Sequence, residues 1–367
     1  MEPSRYVTDQ NSQQDASLPA VDPEHVDLAR LAEWMDGQGL EAGPIRDAAL
    51  LAGGTQNILL RFRRGERVFV LRRPPPHLRK NSNETMRREA RVLGAIADSE
   101  VPHPALIAGC PESEVLGASF YLMEPVEGFN PTQGLPAYHR SSPEIRREMG
   151  YSLVDSIAAL GRIDYREAGL EGFGKPEGYL ERQVARWQSQ LEGYAELEGY
   201  PGPEIPGFEQ VASWLDQNRP KSYQPGIIHG DYHLANVMYR NDAPQLAAIV
   251  DWELSTIGDP LLDLGWLLAT WPDADSLSPA AVGGGIEPWE GFPTAEQLVA
   301  RYREAGSSRD LDSVPWYEVL ACYKLGIILE GTHARACAGR APKATGDVLH
   351  ATTVGLFQRA LRRIGAA

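Results

Sequence analysis

Cysteine is scarce in this chain. There are three, Cys110, Cys322 and Cys337, among 367 residues. They are odd in number and lack metal-ligand spacing, which argues against a disulfide framework and fits a reducing cytoplasm. Long apolar runs are also missing, and none approaches the ~18 residues that a membrane span needs. The opening MEPSRYVTDQNSQQDASLPA lacks the apolar stretch of a signal peptide, and its polarity reads as a flexible tail over 1–22. Basic residues are in deficit, 35 Lys and Arg against 50 Asp and Glu, and the net charge of −15 opposes broad nucleic-acid binding. No internal repeat or long low-complexity stretch occurs.

What remains is an ordinary globular composition, 43% hydrophobic and 23% charged, ample for a core and long enough for two lobes. The charge is unevenly spread. From Leu320 to the end, Lys324, Arg335, Arg340, Lys343, Arg359, Arg362 and Arg363 face only Glu330 and Asp347, a net +5 that leaves −20 elsewhere. Such a segment is either a solvated helix face or a local site for an anionic ligand.

Along the chain, Val26, Leu28, Leu31 and Met35 recur at helical spacing, with Gly37 and Gly39 marking the stop. LLAGGTQNILLRF and RVFVLRR read as a hairpin closed through Arg63-Arg64-Gly65-Glu66, and Pro74-Pro75-Pro76 ends its second strand. A helix follows over TMRREARVLGAIA, and SFYLMEPVEG reads as a strand running into a loop. The first ~125 residues are thus a small sheet with an inserted helix. The rest is mainly helical. Ser142 with Pro143 forms an N-cap, ahead of a stripe of Ile145, Met149, Leu153, Ile157 and Leu160. A further helix is predicted to carry Leu180, Val184, Trp187 and Leu191, with Arg182 and Arg186 one turn apart on a neighbouring face.

The chemistry concentrates in IIHGDYHLANVMYR, from Ile227 to Arg240, and AAIVDWELSTIGDPLLDLGW, from Ala247 to Trp266. His229, Asp231 and Asn236 fall in a Gly-containing turn after an apolar, strand-like pair, and Asp251 ends a second apolar run. Two carboxylates and a carboxamide at the ends of paired strands suit Mg²⁺, which takes one or two protein carboxylates plus phosphate oxygens. A remaining carboxylate can accept a hydroxyl proton. His229 and His233 lie four apart, but Gly230 stands where a zinc-binding HExxH helix needs Glu. His233 therefore reads as a loop residue, and Asp259 as a cap for the apolar run behind it.

This arrangement resembles the catalytic loop of kinases, with His-Gly-Asp in place of His-Arg-Asp and Asp251-Trp252-Glu253 in place of Asp-Phe-Gly. Both changes are similar to the aminoglycoside phosphotransferase and choline kinase-like family. The resemblance implies an α+β, bilobal protein-kinase-like fold. A small antiparallel β-sheet N-lobe with one helix (23–125) would bind the nucleotide, and a larger, mainly α-helical C-lobe (126–367) would carry the catalytic loop and acceptor site. It implies ATP and Mg²⁺ as cofactors, Asp231 as catalytic base, Asn236 and Asp251 as metal ligands, His229 as a brace and Asp263 as the buried aspartate supporting the loop.

Gly53, Gly54, Thr55 and Asn57 match the family's phosphate-covering hairpin, although a double glycine is also an ordinary turn. Arg72 stands where kinases place a phosphate-binding lysine, and Glu89 on the next helix would pair with it. Arg keeps the charge but differs from Lys in geometry, so a non-catalytic pseudokinase stays open. In the hinge-like stretch, adenine would bond the backbone of Glu124 and Val126, with Met123 behind it.

FVLRRPP at 69–75, GKPEGYLERQ at 174–183 and the Asp251-Trp252-Glu253 and Gly258-Asp259-Pro260 blocks resemble one branch of the family. That branch comprises kinase-like domains fused to some acyl-CoA dehydrogenases, and free-standing bacterial relatives. It commonly has Arg at the lysine position. The implied acceptor is a small-molecule hydroxyl, first of all that of a 4-hydroxyacyl-CoA, a CoA thioester whose phosphates would be met by Arg182, Arg186, Arg335 or Arg340. An aminoglycoside or amino-alcohol acceptor is the alternative, because an acidic protein suits a cation. No Ala-Pro-Glu block follows Asp251, which argues against a protein kinase. Nucleic acid and membrane are not expected partners.

Overall fold

A computed structural model of the chain describes residues 26–51, 57–272, 285–306 and 308–365. The tail expected over 1–22, and Gly53, Gly54 and Thr55, lie outside these described residues. The chain divides into two compact units, one of Met1–Arg87 with Leu106–Pro125 and one of Arg88–Ala105 with Val126–Ala367.

The first unit holds α1 (Leu28–Gly37), β1 (Arg46–Leu50), β2 (Ile58–Arg64), β3 (Arg67–Arg73), the start of α2 (Ser82–Ala95), β4 (Leu106–Cys110) and β5 (Phe120–Met123). The strands form one antiparallel sheet in the order β1-β2-β3-β5-β4. Alternation sends Leu60, Phe62, Phe69 and Leu71 to one face, where Leu31 and Met35 of α1 complete the core with Phe120 and Leu122. Asp27 caps α1 by accepting the N–H groups of Ala29 and Arg30 at 3.1 and 3.0 Å. The hairpin is tighter than predicted, because Arg64 ends β2 rather than sitting in the turn. Its buried guanidinium donates to the Gly43 and Leu40 carbonyls at 2.9 and 3.1 Å and pairs with Asp36.

The second unit is mainly helical, with α3 (Ala137–Arg140), α4 (Pro143–Arg162), α5 (Gln183–Gly193) and α6 (Phe208–Gln217) before the short strands β6 (Gly226–Ile228), β7 (Val237–Tyr239), β8 (Leu246–Ile249) and β9 (Thr256–Gly258). Then come α7 (Leu261–Thr270), α8 (Ala295–Glu304), α9 (Val314–Cys337) and α10 (Lys343–Arg363). Ser142 caps α4 by accepting Glu144 N–H at 3.1 Å. α7 is apolar almost all round and buries nearly every side chain, and α9 buries about two thirds of its residues, as central helices do. α5 departs from expectation. It begins at Gln183, because Gly178 takes a φ of +60° and Arg182 turns back to donate to the carbonyls of Lys175 (2.9 Å) and Glu177. Leu180 and Arg182 therefore precede the helix. Among the described residues no helix is long and apolar enough to cross a membrane.

Candidate active site

Two short ladders build the site within the second unit. β6 pairs with β9, Ile228 against Thr256, and β7 pairs with β8, Val237 against Ile249. The loop 229–236 is therefore held beside 250–255, and Val250 N–H donates to the Asn236 carbonyl at 2.9 Å.

The loop is braced from beneath. Asp263 stands in the first turn of apolar α7, and a buried carboxylate there must find donors. Its two oxygens accept the consecutive backbone N–H groups of His229 (2.7 Å) and Gly230 (2.8 Å). Burial raises the Asp263 pKa, while His229 and these amides oppose the rise. His229 Nε2 lies 2.9 Å from the Val250 carbonyl, so Nε2 carries the proton and Nδ1 accepts Asp231 N–H at 3.4 Å. His229 thus ties the loop to β8, as the resemblance implied.

Asp231 is engaged at both carboxylate oxygens. His233 Nδ1 caps the turn at 234–236 by accepting Ala235 N–H at 3.2 Å, which leaves Nε2 as the donor, 3.3 Å from Asp231 Oδ1. Asn236 Nδ2 donates to the Asp231 carbonyl at 2.9 Å and to Oδ2 at 3.0 Å. Burial pushes the Asp231 carboxyl up, but His233, His229 and Lys324 outweigh it and hold the pKa at about 2. His233, read from sequence as a plain loop residue, is therefore a direct partner of Asp231.

Asp251 reverses the chain after β8 in the left-handed region, at φ +66° and ψ +63°, which Asp tolerates better than most residues. The turn at 252–254 then folds back against Gly230. A Cβ on Gly230, whose φ is +87°, would stand 2.5 Å from the Leu254 carbonyl oxygen. The glycine of His-Gly-Asp is thus what lets the two motif turns touch. Gly230→Ala should cost roughly 1–2 kcal/mol in backbone strain, before any clash with Leu254. A lowered melting temperature with reduced turnover, although no charge has changed, is the expected outcome.

Lys324, on α9, was not predicted as a site residue. Its Nζ lies 3.3 Å from the Gly230 carbonyl, 4.3 Å from the Trp266 ring centre and 5.5 Å from that of Trp187. Burial and Arg186 pull its pKa down, Asp231 and Asp263 pull it up, and the balance is about 8. Arg88, on the part of α2 in this unit, donates to the Phe173 and Ser255 carbonyls at 2.8 and 3.0 Å and so steadies the segment after Asp251. Asp259 accepts Leu261 N–H at 3.0 Å and the Tyr317 hydroxyl, the structural part expected of it.

The other predicted residues are divided between the two units. Asn57 precedes β2, Arg72 lies near the end of β3 opposite Leu59 and Tyr121, and Met123 ends β5. Glu124 follows β5, its side chain held by Arg67, with Arg67 Nε at 3.1 Å. Glu89 on α2 and Val126 belong to the second unit. Arg335 donates to Thr332 Oγ1 at 2.7 Å near the end of α9, and Arg340 is exposed just beyond. The +5 segment does not form one patch. Lys324 turns to the loop, Lys343 pairs with Asp347, and Arg359 binds Glu318 and the Leu268 and Trp271 carbonyls. A cavity of about 1330 Å³ bounded by Trp271, Phe292, Glu318 and Arg359 shares no lining residue with the loop 229–236.

A sheet-plus-helix unit followed by a helical unit, with His-Gly-Asp, Asn and Asp gathered on two short ladders, defines a kinase-like phosphotransferase. The chain belongs to the phosphotransferase enzyme family, whose sequence profile matches residues 47–286. It is 30% identical over 317 residues to acyl-CoA dehydrogenase family member 11 of Pongo abelii, covering 85% of this chain and 39% of the relative. It is 29% identical over 298 residues to acyl-CoA dehydrogenase family member 10 of Mus musculus, covering 80% and 27%. The chain thus spans about two fifths or less of these relatives. A solved structure from Ralstonia eutropha JMP134, provisionally assigned as an aminoglycoside phosphotransferase, is 27% identical and superposes with a TM-score of 0.77 over 93% of this chain and 98% of that one.

Proposed function

We propose that the chain transfers the γ-phosphoryl group of ATP, with Mg²⁺, to a hydroxyl of a hydroxyacyl-CoA, first of all the 4-hydroxy group. The observation that carries the transfer chemistry is Asp231, fixed at both oxygens and ionised at any physiological pH. Such a carboxylate is always ready to accept a hydrogen bond from the acceptor hydroxyl, although it is a weak base. Phosphoryl transfer through a loose transition state asks chiefly for this kind of positioning. The acceptor oxygen bonds to the γ-phosphorus, the bond to the β–γ bridging oxygen breaks, and the hydroxyl proton passes to Asp231. Asn236 has its amide nitrogen committed to Asp231, which leaves its carbonyl oxygen for a cation. That oxygen and the Asp251 carboxylate are hard donors that fit Mg²⁺, which would neutralise phosphate charge. Arg72, with Glu89, would serve the phosphates, and the Glu124 and Val126 backbone with Met123 the adenine. Asn57 belongs with the phosphate hairpin.

The acceptor reading rests on Lys324 and Arg186. Lys324 acts electrostatically on Asp231, and Arg186 acts on Lys324, so these cations oppose an aminoglycoside or amino alcohol there, whatever the overall acidity. A thioester with carbonyl oxygens and distant phosphates suits them. Arg335 lies eleven residues beyond Lys324, about 16 Å by helical rise, where an extended CoA could present its phosphates to it and to Arg340. Arg182 already holds its own loop, which makes it the weakest of the four arginines for this part.

The test is ATP consumption measured side by side with a 4-hydroxyacyl-CoA, the free hydroxy acid, an amino alcohol and an aminoglycoside. The thioester should be preferred. Equal use of the free acid or the aminoglycoside would overturn the acceptor reading, and nucleotide binding with no turnover of any of them would favour a non-catalytic module. Lys324→Met should raise KM for the thioester roughly 10–100-fold, the scale of a lost charged hydrogen bond, with KM for ATP nearly unchanged. Because deprotonation removes the Lys324 charge, the wild-type KM should rise as pH passes about 8, and the variant should lack that rise.

A further inference from the structure

Away from the loop, α9 and α10 carry a cluster that phosphoryl transfer does not use. Glu330 is fully buried on α9, and a carboxylate there requires compensating partners. Its Oε1 accepts the Tyr200 hydroxyl at 2.8 Å, and its Oε2 lies 2.8 Å from His350 Nδ1 on α10. His333, one turn after Glu330, stacks on His350 with ring centres 4.6 Å apart and planes inclined by 30°. Its Nδ1 is closed off from solvent and has no hydrogen-bond partner among the described residues. Its Nε2 faces Cys337 Sγ at 3.6 Å.

A single proton between Glu330 and His350 would leave His333 Nδ1 unsatisfied, and two stacked imidazolium rings would repel each other. A divalent ion resolves both difficulties at once. One ligand atom from each of Glu330, His333 and His350 lies within 4.8 Å of the others. Donors about 2.1 Å from a common tetrahedral ion stand roughly 3.4 Å apart, so side-chain rotation of about an ångström would close the set. The scaffold is rigid, since both histidines sit on helices joined by the Thr353 hydroxyl, which donates to the Gly326 carbonyl at 3.0 Å. Tyr200 orients the carboxylate from behind, as outer-shell partners of metal ligands do. Burial raises the Tyr200 pKa, and its hydroxyl remains a donor.

We propose that Glu330, His333 and His350 form a binding site for a divalent transition-metal ion that clips α9 to α10. Two imidazoles and a carboxylate select zinc-like ions over Mg²⁺, which separates this site from Asn236 and Asp251.

The test is Zn²⁺ titration of the full chain by calorimetry, with Co²⁺ absorption as a second readout. Wild type should bind Zn²⁺ near one equivalent, melt at a higher temperature with it, and give Co²⁺ visible bands of a low-coordinate nitrogen-ligated ion. His333→Gln and His350→Gln should each weaken binding at least 10-fold and remove the thermal shift, whereas Asp251→Asn should leave both intact. Circular dichroism of the metal-free variants checks that they fold, and Glu330→Gln, which keeps the hydrogen bonds but removes the charge, supplies a second arm if either histidine variant does not. Absence of Zn²⁺ binding at micromolar concentration, or binding lost with Asp251→Asn and retained in the histidine variants, would overturn the proposal.

Discussion

Asp231→Asn should lower turnover by roughly 10²–10⁴-fold, the scale of a positioned acid–base group, and leave nucleotide binding in place. The substitution is nearly isosteric, so the loop still rests on Asp263 and His229. Two properties change. The carboxamide cannot take the hydroxyl proton, and the negative charge that His233 and Lys324 face disappears. Asp231 accepts at both oxygens, whereas an amide offers one acceptor, so one of the bonds to His233 and Asn236 is also lost, for about 1 kcal/mol. Steady-state rates with the preferred acceptor, beside calorimetric nucleotide affinity, separate chemistry from binding. A variant turning over at near wild-type rate would remove Asp231 from the reaction.

The second large effect is expected at Asp251. Its backbone occupies the left-handed region, so Asp251→Ala combines lost charge with backbone strain. Asp251→Asn separates them, because Asn tolerates that conformation equally well. Both variants should lose roughly 10²–10³-fold in kcat/KM for Mg·ATP, the scale of one removed electrostatic contact to a transition state. Affinity for magnesium-free nucleotide should change little. If the asparagine variant behaves identically with and without magnesium, Asp251 holds no metal.

The hairpin, the Ser142–Pro143 cap and the two motif blocks were legible because each is local: alternation, a capping pair, carboxylates at fixed spacing. Lys324 was not. It reaches a carbonyl 94 residues away, and α9 is apolar on so many sides that no stripe marks the face turned to the loop. His233 escaped because its value to Asp231 depends on which ring nitrogen caps the next turn, a choice that spacing does not reveal. Arg182 was misplaced because its periodicity with Val184 and Trp187 continues through a turn that Gly178 and the Lys175 and Glu177 carbonyls impose. The +5 segment invited a single anionic site, yet the α9–α10 pair points its cations in several directions, and net charge carries no information about direction.

The carboxylate of Asp263 beneath the loop has an evolutionary consequence. The amides of His229 and Gly230 are sequestered by α7, so they should exchange with deuterium far more slowly than loop amides open to water. α5 and α9 bring Arg186 and Lys324 from another side and share none of those bonds. Mutation can therefore rework the acceptor-facing side of α5 without touching the keystone of the loop, whereas a change at Lys324 removes a donor to Gly230 itself. That separation gives one scaffold a wide range over which substrate preference can drift while the transfer step survives.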